Sequence, residues 1–376
     1  MQVANIRDRR SLECISLTTT ALIQEGDNAI IDVDGDLAAE VAPTTPLGVP
    51  EEVVEQCLPP IYASLTIFSF IGCLMRLGLI YLHDYDGAPV VAILYPQIMG
   101  CLIIGWCNAN KEVLIDLYYP LYIGLSTGLC GSITTFSSWS LSVFGAFVDL
   151  GFTGRSGGYN LLAGIAVTII IIGMSLVSVS FGEHVAKIIN LQTVFGHSDD
   201  WKAPVFKLET VRFRIDRLKK RDGAVMVVAA ALWIMLGLLG IFVQTGRGVV
   251  FAATFAPLGT LVRYRFAIFN VKYGHFPLGT FTVNMVGTAL LAIFYVLSHA
   301  PFTSTTSAEC AILTGLSDGF CGCLTTISTF AVELRTLKLS SAYIYGIAST
   351  VLGQVIMLAI IGSVRFVGEL NRGCVE

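Results

Sequence analysis

One twelve-residue pattern constrains this chain more than any other, and it occurs twice. It reads GLCGSITTFSSW from Gly128 to Trp139 and GFCGCLTTISTF from Gly319 to Phe330. Each copy couples glycines to a run of small hydroxyls, ends on an aromatic ring and lies inside an apolar segment. A helix through hydrocarbon does not favour that sequence at mid-depth. Non-helical backbone is tolerated there only where it is buried in protein or lines a polar cavity. The pattern therefore predicts a broken helix in each half, and two copies predict a duplicated architecture.

The segments around the pattern are membrane-like. Of 376 residues, 54% are hydrophobic and 13% charged, where soluble domains carry about 25% charged residues; the mean hydropathy is +0.74. Apolar runs of spanning length, about 17–25 residues, fall at 60–82, 89–107, 117–148, 158–181, 224–243, 248–269, 277–297, 307–333 and 341–364. The third and eighth carry the glycine-rich interruption. The run 248–269 contains Pro257, Arg263 and Arg265 and reads as a shorter or broken element. Residues 1–57 have no leader-like apolar core; the acidic, proline-containing stretch Glu25–Glu55 predicts a disordered tail. Ten scattered cysteines without a zinc spacing read as small buried hydrophobes with free thiols.

Charge orients the chain. The polar connection 182–223 holds Lys187, Lys202, Lys207, Arg212, Arg214, Arg217, Lys219, Lys220 and Arg221. Positive charge beside span ends favours the cytoplasm. That puts the N-terminus inside and, with nine spans, the tail 367–376 outside.

The expected fold is an all-α polytopic membrane protein of about nine spans. It comprises a four-helix repeat over 58–182, a basic cytoplasmic loop and linking transmembrane helix over 183–246, and a second four-helix repeat over 247–366. The copies share landmarks: an Arg late in the first span (Arg76, Arg263), a polar residue three before a glycine in the second (Gln97 and Gly100, Asn284 and Gly287), and a broken third. The number of spans separating the copies inverts the second relative to the first. Inverted repeats usually hold their ion or substrate site near the midplane, on discontinuous helices.

The interior offers donors. No nucleotide loop, HExxH or Ser/His/Asp constellation is present, so neither an enzyme nor a nucleic-acid partner is expected. Carboxylates are nearly absent from the span interiors; Glu333 closes the eighth. Proton-coupled cation export would place a carboxylate there. Thr280 and Asn284 are four apart and share a helix face. Thr325, Thr326, Ser328 and Thr329 add hydroxyls. Donors without carboxylates suit an anion, and the positive ring edges of Phe136 and Phe330 can assist. The competing reading is that these small polar residues glue helices together. Arg76 and Arg263 either snorkel to headgroups, draw anions into a vestibule, or pair with a helix C-terminus. An inverted-repeat secondary transporter of another small anion or solute is the alternative function.

The stretches FPLGTFTVNMVG (Phe276–Gly287) and GFCGCLTTISTF (Gly319–Phe330) resemble the Fluc/CrcB fluoride channels, and the tandem form with a linking helix resembles the fungal and plant fluoride exporters called FEX. The resemblance covers about residues 60–364. It implies passive, fluoride-selective export across the plasma membrane, with the lipid bilayer and fluoride as partners and a monomer with pseudo-dimeric halves. It implies a central Na⁺ on the main-chain oxygens of Gly131, Thr134, Gly322 and Thr325. It further implies that each pore has an Asn and two Phe. Carried over, one pore combines Phe136, Phe330 and Asn284, with Thr280, Ser328 and Thr329 as further donors. The other combines Ile327, Trp139 and Gln97 and has lost all three family residues.

Overall fold

A computed structural model describes residues 51–83, 85, 87–151, 153–189, 208–272, 275–299 and 307–367. Most of the expected tail, the middle of the basic connection and nearly all of 367–376 lie outside the described residues. The described chain is helical, with turns and short loops between helices and no strand.

The first helix, α1, runs Glu51–Leu82, so residues 51–57 belong to a helix and not to the expected disordered tail. In the sequence the helical spacing of apolar residues already begins N-terminal to Leu58. α2 is Leu94–Ala109. The next helix, α3, passes from Lys111–Ile123 through a π-helical segment, Gly124–Cys130, to one turn, Gly131–Ile133. After it come α4 (Phe136–Val148) and α5 (Gly158–Ile188).

α6 is Leu208–Phe242, α7 Arg247–Phe266, α8 Ile268–Lys272 and α9 Leu278–His299. Then α10 repeats the design of α3: Ser307–Thr314, the π-helical Gly315–Cys321 and the turn Gly322–Leu324. α11 (Ser328–Thr336) and α12 (Leu339–Met357, continuing through Leu358–Gly362 to Ser363–Val367) complete the chain. Among the described residues, six helices are long and apolar enough to cross a membrane, and each of the nine expected runs overlaps helix.

Further details refine the expectation. Residues 208–223, expected within the connection, are the first part of the 35-residue α6. The run 248–269 is divided at Ala267 between α7 and α8, while α7 itself continues through Pro257; packed neighbours can re-satisfy the carbonyl that a proline strands. Cys310 is disulfide-bonded, whereas Cys73, Cys101, Cys107, Cys130, Cys321 and Cys323 are free and buried, as read from the sequence.

The two copies pack alike at their centre. α1 lies against the π segment of α3, α7 lies against the π segment of α10, and α1 and α7 pack on each other. α6 runs outside along α1 and α7, with only 11% of its apolar window buried, so its surface suits lipid. Trp233 Nε1 donates to the Thr254 carbonyl at 3.0 Å. Three turns earlier in α6, Asp222 Oδ1 accepts from the Tyr118 hydroxyl at 2.6 Å, and the Arg221 guanidinium sits 4.3 Å from the Tyr118 ring centre.

Outside the centre the copies differ. α2 and α5 approach backbone to backbone, because a Cβ on Gly105 would overlap the Val179 carbonyl and one on Gly182 the Leu102 carbonyl. Gly182→Ala is expected to push these helices apart and cost about 1–3 kcal/mol, the usual range for overpacking. Thermal unfolding in detergent measures it; an unchanged midpoint would contradict the packing argument.

Candidate functional site

The break in each copy falls at threonines, one turn beyond where the glycines suggested it. Thr134 and Thr325 take matching extended backbones (φ −90°, ψ 150° and φ −92°, ψ 154°). Each hydroxyl donates to the carbonyl four residues back, Cys130 or Cys321, at 3.0 Å. Each also accepts amides from the other copy: Ile327 and Ser328 donate to Thr134 Oγ1 at 3.3 and 3.0 Å, and Ser137 donates to Thr325 Oγ1 at 3.1 Å. Thr134–Thr326 and Thr135–Thr325 hydroxyl contacts, at 3.2 and 3.0 Å, close the knot. Its members, Ser328 included, are 0–1% exposed.

α2 and α9 clamp the next residue. Gln97 accepts from the Thr135 amide (3.4 Å) and donates to the Thr135 carbonyl (2.8 Å). Asn284 treats Thr326 the same way, at 2.9 and 3.3 Å.

These bonds leave four carbonyls without helical partners. In a helix, Gly131, Thr134, Gly322 and Thr325 would accept from the amides three or four residues ahead. The amides of Thr134 and Thr325 go to Cys130 and Cys321. Those of Thr135 and Thr326 go to Gln97 and Asn284. The Ser137 and Ser328 amides cross to the other copy, and those of Ser138 and Thr329 turn to Thr135 Oγ1 and Thr326 Oγ1. Uncommitted carbonyl oxygens are the donor set a hard cation prefers.

Arg76 and Arg263 are buried, at 1% and 5% exposure, and neither reaches toward headgroups. Arg76 donates to the Ser132 carbonyl at 2.7 Å and to the Asp318 carbonyl. Arg263 donates to the Cys323 carbonyl at 3.0 Å and the Thr127 carbonyl at 2.9 Å. The two pairs of carbonyls are equivalent positions in the two copies, so each guanidinium pins both broken helices at once. The glycines make room for this: a Cβ on Gly131 would overlap the Arg263 guanidinium, and one on Gly322 that of Arg76. That explains why the glycines are helical while the threonines break the helix.

Beside the knot lies an aromatic seam. Phe136 and Phe330 meet edge to face at 5.6 Å; Phe330 lies 5.1 Å from Tyr345 and Phe136 5.0 Å from Trp139. Ile327 and Trp139 are buried in the same apolar core. α4, α9 and α12 pack together here. Their facing residues include three buried hydroxyls without a hydrogen-bond partner: Ser140, Thr288 and Ser349. Thr288 extends the Thr280–Asn284 stripe by one turn, and Ser349 follows Tyr345 at the same spacing. A Cβ on Gly353 would lie 3.1 Å from Ser140 Oγ and 3.2 Å from the Phe136 ring.

Glu333, read from the sequence as closing the eighth span of an interior nearly without carboxylates, stands in this seam. Glu333 is half-buried; its Oε1 accepts from the Thr280 hydroxyl at 2.6 Å and its Oε2 from the Tyr345 hydroxyl at 2.7 Å. It follows Phe330 by three residues and so shares its helix face, a spacing visible in the sequence. Thr329 is half-buried, and its amide helps close the break.

The fold and site define a helical membrane protein built from two copies of one unit around a shared polar centre. The model of the CrcB-like protein family, Camphor Resistance (CrcB), matches residues 63–181 and again 250–363. The chain belongs to that family. It is 34% identical to fluoride export protein 1 of Neurospora crassa over 80% of this chain and 66% of the relative. Against fluoride export protein 1 of Candida albicans it is 30% identical over 83% of this chain and 80% of the relative. A fluoride-specific ion channel FluC of Ignicoccus hospitalis is 36% identical over 29% of this chain and 88% of its own length. No solved structure matches.

Proposed function

We propose that this protein is a passive, fluoride-selective channel that exports fluoride from the cytosol through a single path. The names of its relatives support fluoride as the ion. The observation that carries the path is the set of unpartnered buried hydroxyls of Ser140, Thr288 and Ser349 beside the Phe136–Phe330 pair. A buried donor without an acceptor is costly, about 1–3 kcal/mol, and a small anion supplies the acceptor. Fluoride enters by the Thr280 and Tyr345 hydroxyls, crosses the positive ring edges beside Asn284, and leaves past the hydroxyls of Ser140, Thr288 and Ser349. In the other path Ile327 offers no ring edge, and Trp139 fills space against Phe136.

In this reading the copies over 58–182 and 247–366 each cross four times, in opposite senses, with α6 as the ninth span. The N-terminus is cytoplasmic, the C-terminus extracellular, the membrane is the plasma membrane, and the monomer is complete.

The residues also fit a structural Na⁺. Gly131, Thr134, Gly322 and Thr325 would hold it through the four uncommitted carbonyls, and when bound it supplies a fixed positive charge in low dielectric beside the anion path. Replacing Na⁺ by N-methylglucamine is expected to lower the thermal midpoint of the purified protein. Saturation at about a hundredfold over Kd corresponds to about 2.7 kcal/mol. Equal midpoints in both salts would remove the cation from the account.

A second reading, proton-coupled export, is favoured by one observation: Glu333 stands in the seam with two hydroxyls on it. Proteoliposomes loaded with potassium fluoride separate the two. The channel predicts efflux on adding a potassium ionophore with no pH gradient imposed; efflux only with an imposed gradient selects the coupled transporter.

A further inference from the structure

Asn270 lies on the short helix α8, where neither the motifs nor the pore assignments point. Its Nδ2 donates to Thr280 Oγ1 at 2.8 Å and to Glu333 Oε1 at 3.0 Å, while its Oδ1 accepts from the Thr280 amide at 2.9 Å. The carboxamide thus does two separable things. Its oxygen caps the first turn of α9, whose leading amides have no partner within the helix. Its nitrogen holds the Thr280 hydroxyl and the Glu333 carboxylate in one arrangement, with the Tyr345 hydroxyl on the far carboxylate oxygen. Gly279 permits the approach: a Cβ there would come within 2.7 Å of Asn270 Oδ1.

The cluster exists in one copy only. With Arg76 matched to Arg263, Asn270 falls opposite His83 and Thr280 opposite Ile93; with Trp139 matched to Phe330, Glu333 falls opposite Ser142. His83 Nε2 instead contacts the Val90 carbonyl at 2.9 Å, and Ser142 bonds back to Ser138. The network thus accompanies Phe330 and Asn284 and is missing where Ile93 and Ser142 stand.

We propose that Asn270 is a positioning residue of the fluoride path, orienting Thr280 and Glu333 at the end of the aromatic seam. The inference rests on the reading that fluoride passes Phe330. Asn270→Asp keeps an oxygen for the Thr280 amide but removes both N–H donors; Asn270→Ala removes all three bonds.

Both variants should slow fluoride efflux from liposomes by about tenfold or more, because the Thr280 hydroxyl and the Glu333 carboxyl lose the donor that fixes them. Asn270→Asp should nevertheless keep a thermal midpoint closer to wild type than Asn270→Ala does. Efflux from Asn270→Asp within about twofold of wild type would overturn the proposal, because a capping role alone survives in that variant. Phe330→Ile, measured alongside, keeps the two ideas apart: wild-type efflux from Phe330→Ile rejects the path itself, whereas a silent Phe330→Ile beside a normal Asn270→Asp rejects only the role of Asn270.

Discussion

Phe330→Ile is expected to stop fluoride efflux from proteoliposomes while leaving a folded protein. The ring is 1% exposed and meets Phe136 at 5.6 Å and Tyr345 at 5.1 Å. It joins the unpartnered hydroxyls on one side to the Thr280–Tyr345 pair on the other. An aromatic edge carries positive potential, so it can meet an anion that has shed part of its water. Ile offers only methyl groups, against which a desolvated anion has no compensation. Packing loss is limited, because Ile keeps much of the buried apolar volume that truncation to Ala, at about 3–5 kcal/mol, would remove. A thermal midpoint near wild type together with no efflux on a fluoride electrode is the expected pair of results.

Arg76→Lys is expected to cost about 1.5–3 kcal/mol of stability, because each charge-assisted bond contributes about that much and one of the two is lost. The guanidinium spans the Ser132 and Asp318 carbonyls, one from each broken helix. An ammonium keeps the charge but lacks the planar fork that reaches both. One carbonyl would then be buried without a donor. Unfolding in detergent measures the loss; a wild-type midpoint would show that charge alone, and not the bridge, holds the centre.

The sequence was most legible where a property repeats along the chain. Apolar runs marked the helices, and the paired TTFSSW and TTISTF stretches marked the two breaks and the aromatic residues that come together. It was least legible where a residue's partner is remote. The glycines at 131 and 322 looked like helix breakers because nothing local shows that Arg263 and Arg76 press against them from the opposite copy. Hydropathy likewise reads Glu333 as a span end, since the Thr280, Asn270 and Tyr345 groups that hold it are distant in sequence. Gln97 and Asn284 were separated as degenerate and intact pore residues, yet both clamp the backbone at their break. Gln97 therefore has a structural duty that does not depend on whether ions pass it.

One paired measurement tests the claim of a single path most directly. Phe330→Ile and Ile327→Val are reconstituted at equal protein density, and initial fluoride efflux is read with an electrode. Ile327 is 1% exposed, and Ile→Val typically costs only about 0.5–1.5 kcal/mol, so that variant should remain folded. The account predicts a silent Phe330→Ile and an Ile327→Val within about twofold of wild type, a margin of under 1 kcal/mol in barrier height. Comparable partial losses from both variants would mean that both paths conduct, and would contradict it.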